Sequence, residues 1–133
     1  MQKIKALGFN TVSFYTLWGL HNPSEGVLDF DGWKDLQPFV DAAKESGLWM
    51  IARPGPYIVS SGGVMSRPRR CQNAEISGGG IPGWVTALNT TLRTADSVFK
   101  DAYEPYWEAV GSIFAANQIS RGGPIIAVQV ENG

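Results

Sequence analysis

The sequence predicts an α/β protein built around a parallel sheet. Short β-branched and aromatic runs near Phe9–Tyr15, Leu48–Ala52 and Ile125–Val130 alternate with longer stretches of helical periodicity. The last run is fed by a Gly122-Gly123-Pro124 turn and is almost wholly apolar, as a strand buried on both faces should be. Its apolar character stops at the carboxyl end, where Gln129, Glu131 and Asn132 appear. Strand, helix, strand, helix, strand is the order of βαβ units, whose strands pair in parallel.

Met1 to Leu7 reads as the end of an amphipathic helix closed by Gly8. A strand follows from Phe9, through Asn10-Thr11-Val12-Ser13-Phe14-Tyr15, toward Trp18. Leu20 to Phe30 is expected to be a loop, punctuated by Asn22-Pro23 and Glu25-Gly26. Asp31 is the expected N-cap of a helix reaching Ser46, with Leu36, Phe39, Val40 and Ala43 on one face and Gly47 ending it. Pro38 falls inside that span, so the helix either starts later or kinks there. The second strand, Leu48–Ala52, is expected to stop at Arg53-Pro54-Gly55-Pro56-Tyr57. A Gly/Ser/Arg-rich stretch then runs to Gly80, and a helix from Ala95 or Asp96 to Ala116, interrupted by Pro105, precedes the last strand.

Composition narrows the function classes. With 133 residues, 44% hydrophobic and 17% charged, and five Trp and six Phe, the chain is globular in character. A net charge of -1 gives no electrostatic argument for nucleic acid or an acidic membrane surface as partner. No window approaches the ~20 apolar residues of a bilayer span. Gln2-Lys3-Ile4-Lys5-Ala6-Leu7 directly after Met1 reads as helix interior, not as a signal peptide, and Cys71, the single cysteine, has no internal disulfide partner. Asn89-Thr90-Thr91 fits an N-glycosylation acceptor if the protein is secreted.

Chemistry in parallel α/β folds gathers at the carboxyl ends of the strands. Arg53 stands at such an end; it is either part of a rigid turn or a charge that pairs with a carboxylate across the mouth of the sheet, supporting a site. Tyr15 and Trp18 also follow a strand, where an aromatic serves either the core or the binding of a sugar. Asn73-Ala74-Glu75 lies in a loop, where a lone Glu is ordinarily just solvated. His21 reads as a structural residue, because the chain has no second His and no Cys/His cluster for a metal. Ser13 has neither a histidine partner nor a Gly-x-Ser-x-Gly elbow, and Gly78-Gly79-Gly80 lacks the Lys and Ser/Thr of a phosphate loop.

Six blocks in order carry a resemblance: Lys5-Ala6-Leu7-Gly8-Phe9-Asn10-Thr11-Val12, Arg53 to Ile58, Asn73-Ala74-Glu75, Gly79-Gly80-Ile81-Pro82-Gly83-Trp84, Leu92-Arg93-Thr94 and Gly122 to Asn132. Together they resemble the β-galactosidases of glycoside hydrolase family 35, the fungal branch above all. The resemblance implies that residues 1–133 are the amino-terminal part of a catalytic (β/α)8 TIM-barrel domain, here a partial barrel of three parallel strands. It implies a hydrolase that removes terminal non-reducing β-D-galactose with retention, using two glutamates, no metal and no cofactor. The partner so implied is a β-galactoside or galactose, and full-length relatives are expected to be secreted. For substrate binding it implies Tyr15 as a galactose contact and Asn73, Ala74 and Glu75 as the loop gripping the sugar hydroxyls. It also implies Asn132 as the asparagine that bonds the 2-hydroxyl. The family's acid/base glutamate should come next, but Gly133 stands there, and the nucleophile belongs to a later strand. A retaining glycosidase needs both carboxyl groups, roughly 5–5.5 Å apart. Glu131 is no substitute, since neighbouring side chains on a strand point to opposite faces.

The family also runs from Arg-Pro-Gly-Pro-Tyr-Ile directly into Asn-Ala-Glu, whereas Val59–Gln72 intervenes here. This Ser/Gly/Arg-rich segment begins with a valine, whose codons start GT, and ends with a glutamine, one of whose codons is CAG. Those are the limits of an intron, so the segment is expected to be a retained intron, and Gly133 a glutamate codon broken after its first G. Transcript reads that keep both segments as ordinary exon would refute this. Two functional classes follow: an enzyme by descent, or an inactive fragment or sugar-binding remnant of a truncated gene. A complete barrel takes at least about 200 residues, so three strands with open edges are expected to be weakly stable or prone to aggregate.

Overall fold

The computed structural model of the protein describes residues 1–57 and 77–130. Within them the chain runs α1 (Gln2–Ala6), β1 (Thr11–Tyr15), α2 (Trp18–His21), α3 (Gln37–Glu45), β2 (Trp49–Gly55), α4 (Ser97–Ala116) and β3 (Ile125–Val130), joined by short 3-10 turns. The three strands form one parallel sheet in the order β1-β2-β3. Helices intervene between consecutive strands, as expected of part of a (β/α) barrel. Val59–Gln72, Asn73-Ala74-Glu75 and 131–133 lie outside the described residues.

One face of the sheet is covered by helix. Phe14, Met50, Ala52 and Ile125 are buried together with Val40 and Ala43 of α3 and with Phe99, Ala102, Tyr106, Val110 and Phe114 of α4. The α4 residues recur at three- and four-residue spacing, which puts them on one stripe of the helix. Phe14 sits at the junction, its ring centroid 5.2 Å from Phe39 and 6.0 Å from Phe114. The other face alternates with the first along each strand and carries Ser13 and Tyr15, Ile51 and Arg53, and Ala127 and Gln129. This is the face on which a closed barrel would enclose its interior.

Several boundaries differ from the sequence expectation. β1 ends at Tyr15 rather than near Trp18. After the Thr16 N–H bonds the Arg53 carbonyl (3.2 Å) the chain winds directly into α2, so the expected loop from Leu20 begins as helix. The helix assigned to Asp31–Ser46 is two pieces. Asp31 precedes only a 3-10 turn (Gly32–Lys34) and makes no side-chain cap bond. α3 starts at Gln37, whose N–H donates to Asp35 Oδ1 (2.8 Å). Pro38 therefore falls in the first turn, where its missing N–H has no intrahelical partner to lose. Gly47 does end the helix: with φ +65 it allows the Gly47 N–H to reach Lys44 O (3.0 Å) and the Leu48 N–H to reach Ala43 O (3.0 Å), closing a Schellman motif.

β2 also runs on through Arg53-Pro54-Gly55, beyond its expected stop after Ala52. Its N–H groups alternate between neighbours, Trp49 N donating to Asn10 O (2.8 Å) and Met50 N to Pro124 O (2.9 Å). Pro54 falls in the series that faces β3. One of the two β2–β3 register slips falls there, between Ala52 and Gly55, the other lying between Met50 and Ile51, while the β1 side keeps Tyr15 opposite Arg53. The slip at Pro54 accommodates a residue with no donor. In α4, Asp96 is the N-cap, its carboxylate accepting from Val98 N (2.9 Å) and Phe99 N (3.3 Å). Pro105 stays inside the helix on its exposed side.

β3 is an edge strand whose residues from Ile126 onward are all exposed, Val130 to 68%. An apolar strand with a free edge invites pairing. The isolated chain is therefore expected to self-associate, and the double substitution Val128→Lys/Val130→Lys to shift it toward monomer in sedimentation velocity.

Candidate active site

The exposed face of the sheet brings Tyr15 and Arg53 together. They are register partners at the carboxyl ends of β1 and β2. The Arg53 guanidinium lies 4.2 Å from the centroid of the Tyr15 ring, and its Nη1 donates to the Tyr15 hydroxyl. The cation is thus held against an aromatic face and a phenol oxygen. A phenol can accept from a guanidinium and also donate its own proton. Gln129 follows two residues after Ala127, the partner of Ile51, and so belongs to the same face.

Tyr106 holds this end of the sheet from behind. Fully buried on α4, it places its hydroxyl 2.9 Å from Thr16 Oγ1, 3.1 Å from Thr16 O and 3.0 Å from Pro54 O. Burial pushes its ionisation above the ordinary tyrosine value, opposed only in part by the Thr16 hydroxyl, so the group stays a neutral hydrogen-bonding phenol. Sequence reasoning missed it. The available signal was a tyrosine on the apolar stripe Phe99, Ala102, Tyr106, Val110, Phe114, a position that Phe would fill unless the hydroxyl has partners.

Trp18, left open between core and sugar contact, is core. It is fully buried, stacked on Tyr106 (6.1 Å, 23°) and edge-on to Trp84 (6.1 Å) and Phe99 (6.2 Å). Its Nε1 donates to Asn22 Oδ1 (3.0 Å), and Asn22 Nδ2 in turn closes the following turn on Ser24 O and Val27 O. Gly19 lets this turn approach the 79–82 segment, since a Cβ there would stand 3.1 Å from Gly80 O. His21 is structural, as expected: it is 2% exposed, stacks on Phe30 (4.5 Å, 10°) and bonds Asp29 O through Nδ1 (3.1 Å).

Desolvation lowers the His21 pKa from 6.5, Lys34 adding to the effect while the Asp29 carbonyl and carboxylate oppose it. The folded state prefers the neutral ring and the unfolded state takes a proton first. The stabilisation is thus complete above the unfolded value and is lost as pH falls toward the folded one. Thermal melts are expected to show Tm falling from about pH 7 to about pH 5, and His21→Gln to flatten that dependence. An equal slope in the variant would place the titration elsewhere.

Of the residues implied to bind substrate, only Tyr15 lies among those described; Asn73, Ala74, Glu75 and Asn132, like Gly133 at the acid/base position, lie outside them. No Asp or Glu occurs on β1, β2 or β3, and among the described residues no group of three or more His, Cys, Asp or Glu is placed to hold a metal ion. Nor, among them, is any helix long and apolar enough to cross a membrane.

Comparison with known proteins gives this geometry its family. The profile described as glycosyl hydrolases family 35 matches residues 1–133. A beta-galactosidase of Aspergillus niger is 48% identical over 131 residues, 98% of this chain and 12% of the relative. Beta-galactosidase A of a Penicillium species is 46% identical over 131 residues, with the same coverage of both chains. A probable beta-galactosidase A of Emericella nidulans is 45% identical over 132 residues, 99% of this chain and 12% of the relative. The chain spans about 12% of the length of these relatives. With the match running from Met1 to Gly133 and three parallel strands in the expected order, this chain belongs to glycosyl hydrolase family 35.

Proposed function

We propose that residues 1–133 form part of a catalytic barrel that hydrolyses terminal non-reducing β-D-galactosides with retention, and that Val59–Gln72 is an insertion within it. The observation that carries this reading is the Tyr15–Arg53 pair, held at the carboxyl ends of adjacent parallel strands on the face away from the helices. In a parallel barrel that is where substrate is met. The relatives' names, beta-galactosidase throughout, supply the sugar.

In this reading Tyr15 contacts galactose, Asn73, Ala74 and Glu75 grip its hydroxyls, and Asn132 bonds the 2-hydroxyl. A carboxylate and an amide side by side suit vicinal hydroxyls, because one accepts and the other both donates and accepts. The two catalytic carboxyl groups come from the position of Gly133, restored to Glu, and from a later strand of the family barrel. The decisive experiment deletes Val59–Gln72, restores Glu at position 133 and joins the segment to the remainder of a family barrel. A retaining β-galactosidase is expected, monitored by the anomer first released from an aryl galactoside. Failure of that chimera to turn over, with its fold intact by circular dichroism, would overturn the reading.

A further inference from the structure

We propose that Tyr106 is a positioning residue for the carboxyl end of the sheet, its hydroxyl setting the spacing at which Tyr15 and Arg53 meet. The inference rests on the reading of Tyr15 as a galactose contact and adds to it the device that holds Tyr15 in place. The backbone ladder between β1 and β2 ends at this point: Tyr15 opposite Arg53 is its last pair, and Thr16 N to Arg53 O (3.2 Å) its last hydrogen bond. On the other side of β2 the register has already slipped at Pro54. What continues the tie is the Tyr106 hydroxyl, which meets Thr16 O (3.1 Å) and Pro54 O (3.0 Å), the carbonyls of the residues immediately after Tyr15 and Arg53.

One hydroxyl has a single proton and two lone pairs. It shares that proton between the two strand carbonyls in a bifurcated bond, while the Thr16 hydroxyl, 2.9 Å away, donates back into it. Both strand ends are thereby fixed to one point on α4. The ring alone would serve the core, since it stacks on Trp18 and is fully buried; a phenylalanine would pack there without a polar atom to satisfy. The hydroxyl is thus explained by what it joins.

The test uses the full 133-residue chain carrying Val128→Lys/Val130→Lys to suppress association through β3, labelled on Tyr and Arg for NMR, with Tyr106→Phe and Thr16→Val. In the parent chain a cross-peak between the Tyr15 ring and the Arg53 side chain is expected, beside cross-strand contacts of Val12 with Met50. Tyr106→Phe is expected to keep the Val12–Met50 contact and lose most of the Tyr15–Arg53 cross-peak, with Thr16→Val showing a smaller loss. Titration with methyl β-D-galactoside, followed on the Tyr15 ring, is expected to give a Kd raised about tenfold in Tyr106→Phe, the scale of one hydrogen bond. A Tyr15–Arg53 cross-peak undiminished in both variants would overturn the proposal, as would a parent chain lacking the Val12–Met50 contact. Should Tyr106→Phe unfold, Thr16→Val decides; unfolding of both makes the hydroxyl a stability element alone and also overturns it. A parent chain whose Tyr15 signal ignores the galactoside refutes the sugar reading only, since the cross-peak comparison still decides the role of Tyr106.

Discussion

A polypeptide of these 133 residues is expected to release no measurable product from a chromogenic β-galactoside, and Gly133→Glu alone is expected to leave it inactive. A retaining glycosidase requires one carboxyl group to protonate the leaving oxygen and a second, roughly 5–5.5 Å away, to attack the sugar. Among the described residues, the strand positions that could present such groups are Ser13, Tyr15, Ile51, Arg53, Ala127 and Gln129, none of them acidic. General acid assistance is typically worth ~10²–10⁴-fold, and without a nucleophile the covalent route is closed altogether. Restoring the acid therefore restores one half of a mechanism that works only as a pair. Robust turnover by the chain, abolished by Glu75→Ala or Glu131→Ala, would place the chemistry on residues assigned other roles here.

Gly123→Ala is expected to be far more damaging than the same substitution at Gly122 or Gly83. A Cβ at Gly123 would stand 1.9 Å from Asn117 O, 2.2 Å from Asn117 C and 2.7 Å from Asn117 Cα, all backbone atoms. Asn117 has little freedom to retreat. Its carbonyl accepts the Ile125 N–H (3.2 Å) that opens β3, and its side-chain amide exchanges hydrogen bonds with Gln37 across 80 residues of sequence (2.8 and 3.1 Å). Relief of the clash must pull β3 away from α4 or break that amide pair. The cost is expected to reach about 3 kcal/mol, the upper end for overpacking. Two neighbouring substitutions calibrate it. Gly122→Ala meets no atom within 4 Å but sits at φ +77, and should cost about 1 kcal/mol. Gly83→Ala meets no atom and carries no such φ, and should stay within about 0.5 kcal/mol. Urea unfolding of the three variants is the measurement. Gly123→Ala no worse than Gly83→Ala would mean that the turn into β3 is not packed as described.

Much of the architecture was legible because local chemistry and tertiary demand agree in it. The runs at 125–130 and 11–15 are β-branched or aromatic and became strands; Gly8, Gly47 and Asp96 mark helix ends by conformation or side-chain bonding and do so in the structure. Where a local signal was outvoted, the expectation failed. Pro54 and Gly55 read as breakers, yet they stay in β2 because the sheet absorbs a missing donor through a register slip. Asp31 is a good N-cap by residue type, but the chain turns once and restarts at Gln37, where Pro38 is tolerated.

The candidate site divides along the same line. Ordered motifs sufficed for the family, and Tyr15 and Arg53 could be placed at strand ends, because strand polarity and the position of polar residues are local properties of the chain. That Arg53 turns to the Tyr15 ring and hydroxyl, that Trp18 belongs to the core, and that Tyr106 ties both strand ends from 90 and 52 residues away were decided only in three dimensions. A side chain's partner depends on which distant segment the fold brings within about 3 Å, and hydrogen bonds at that range select one neighbour among many that composition and spacing leave equivalent.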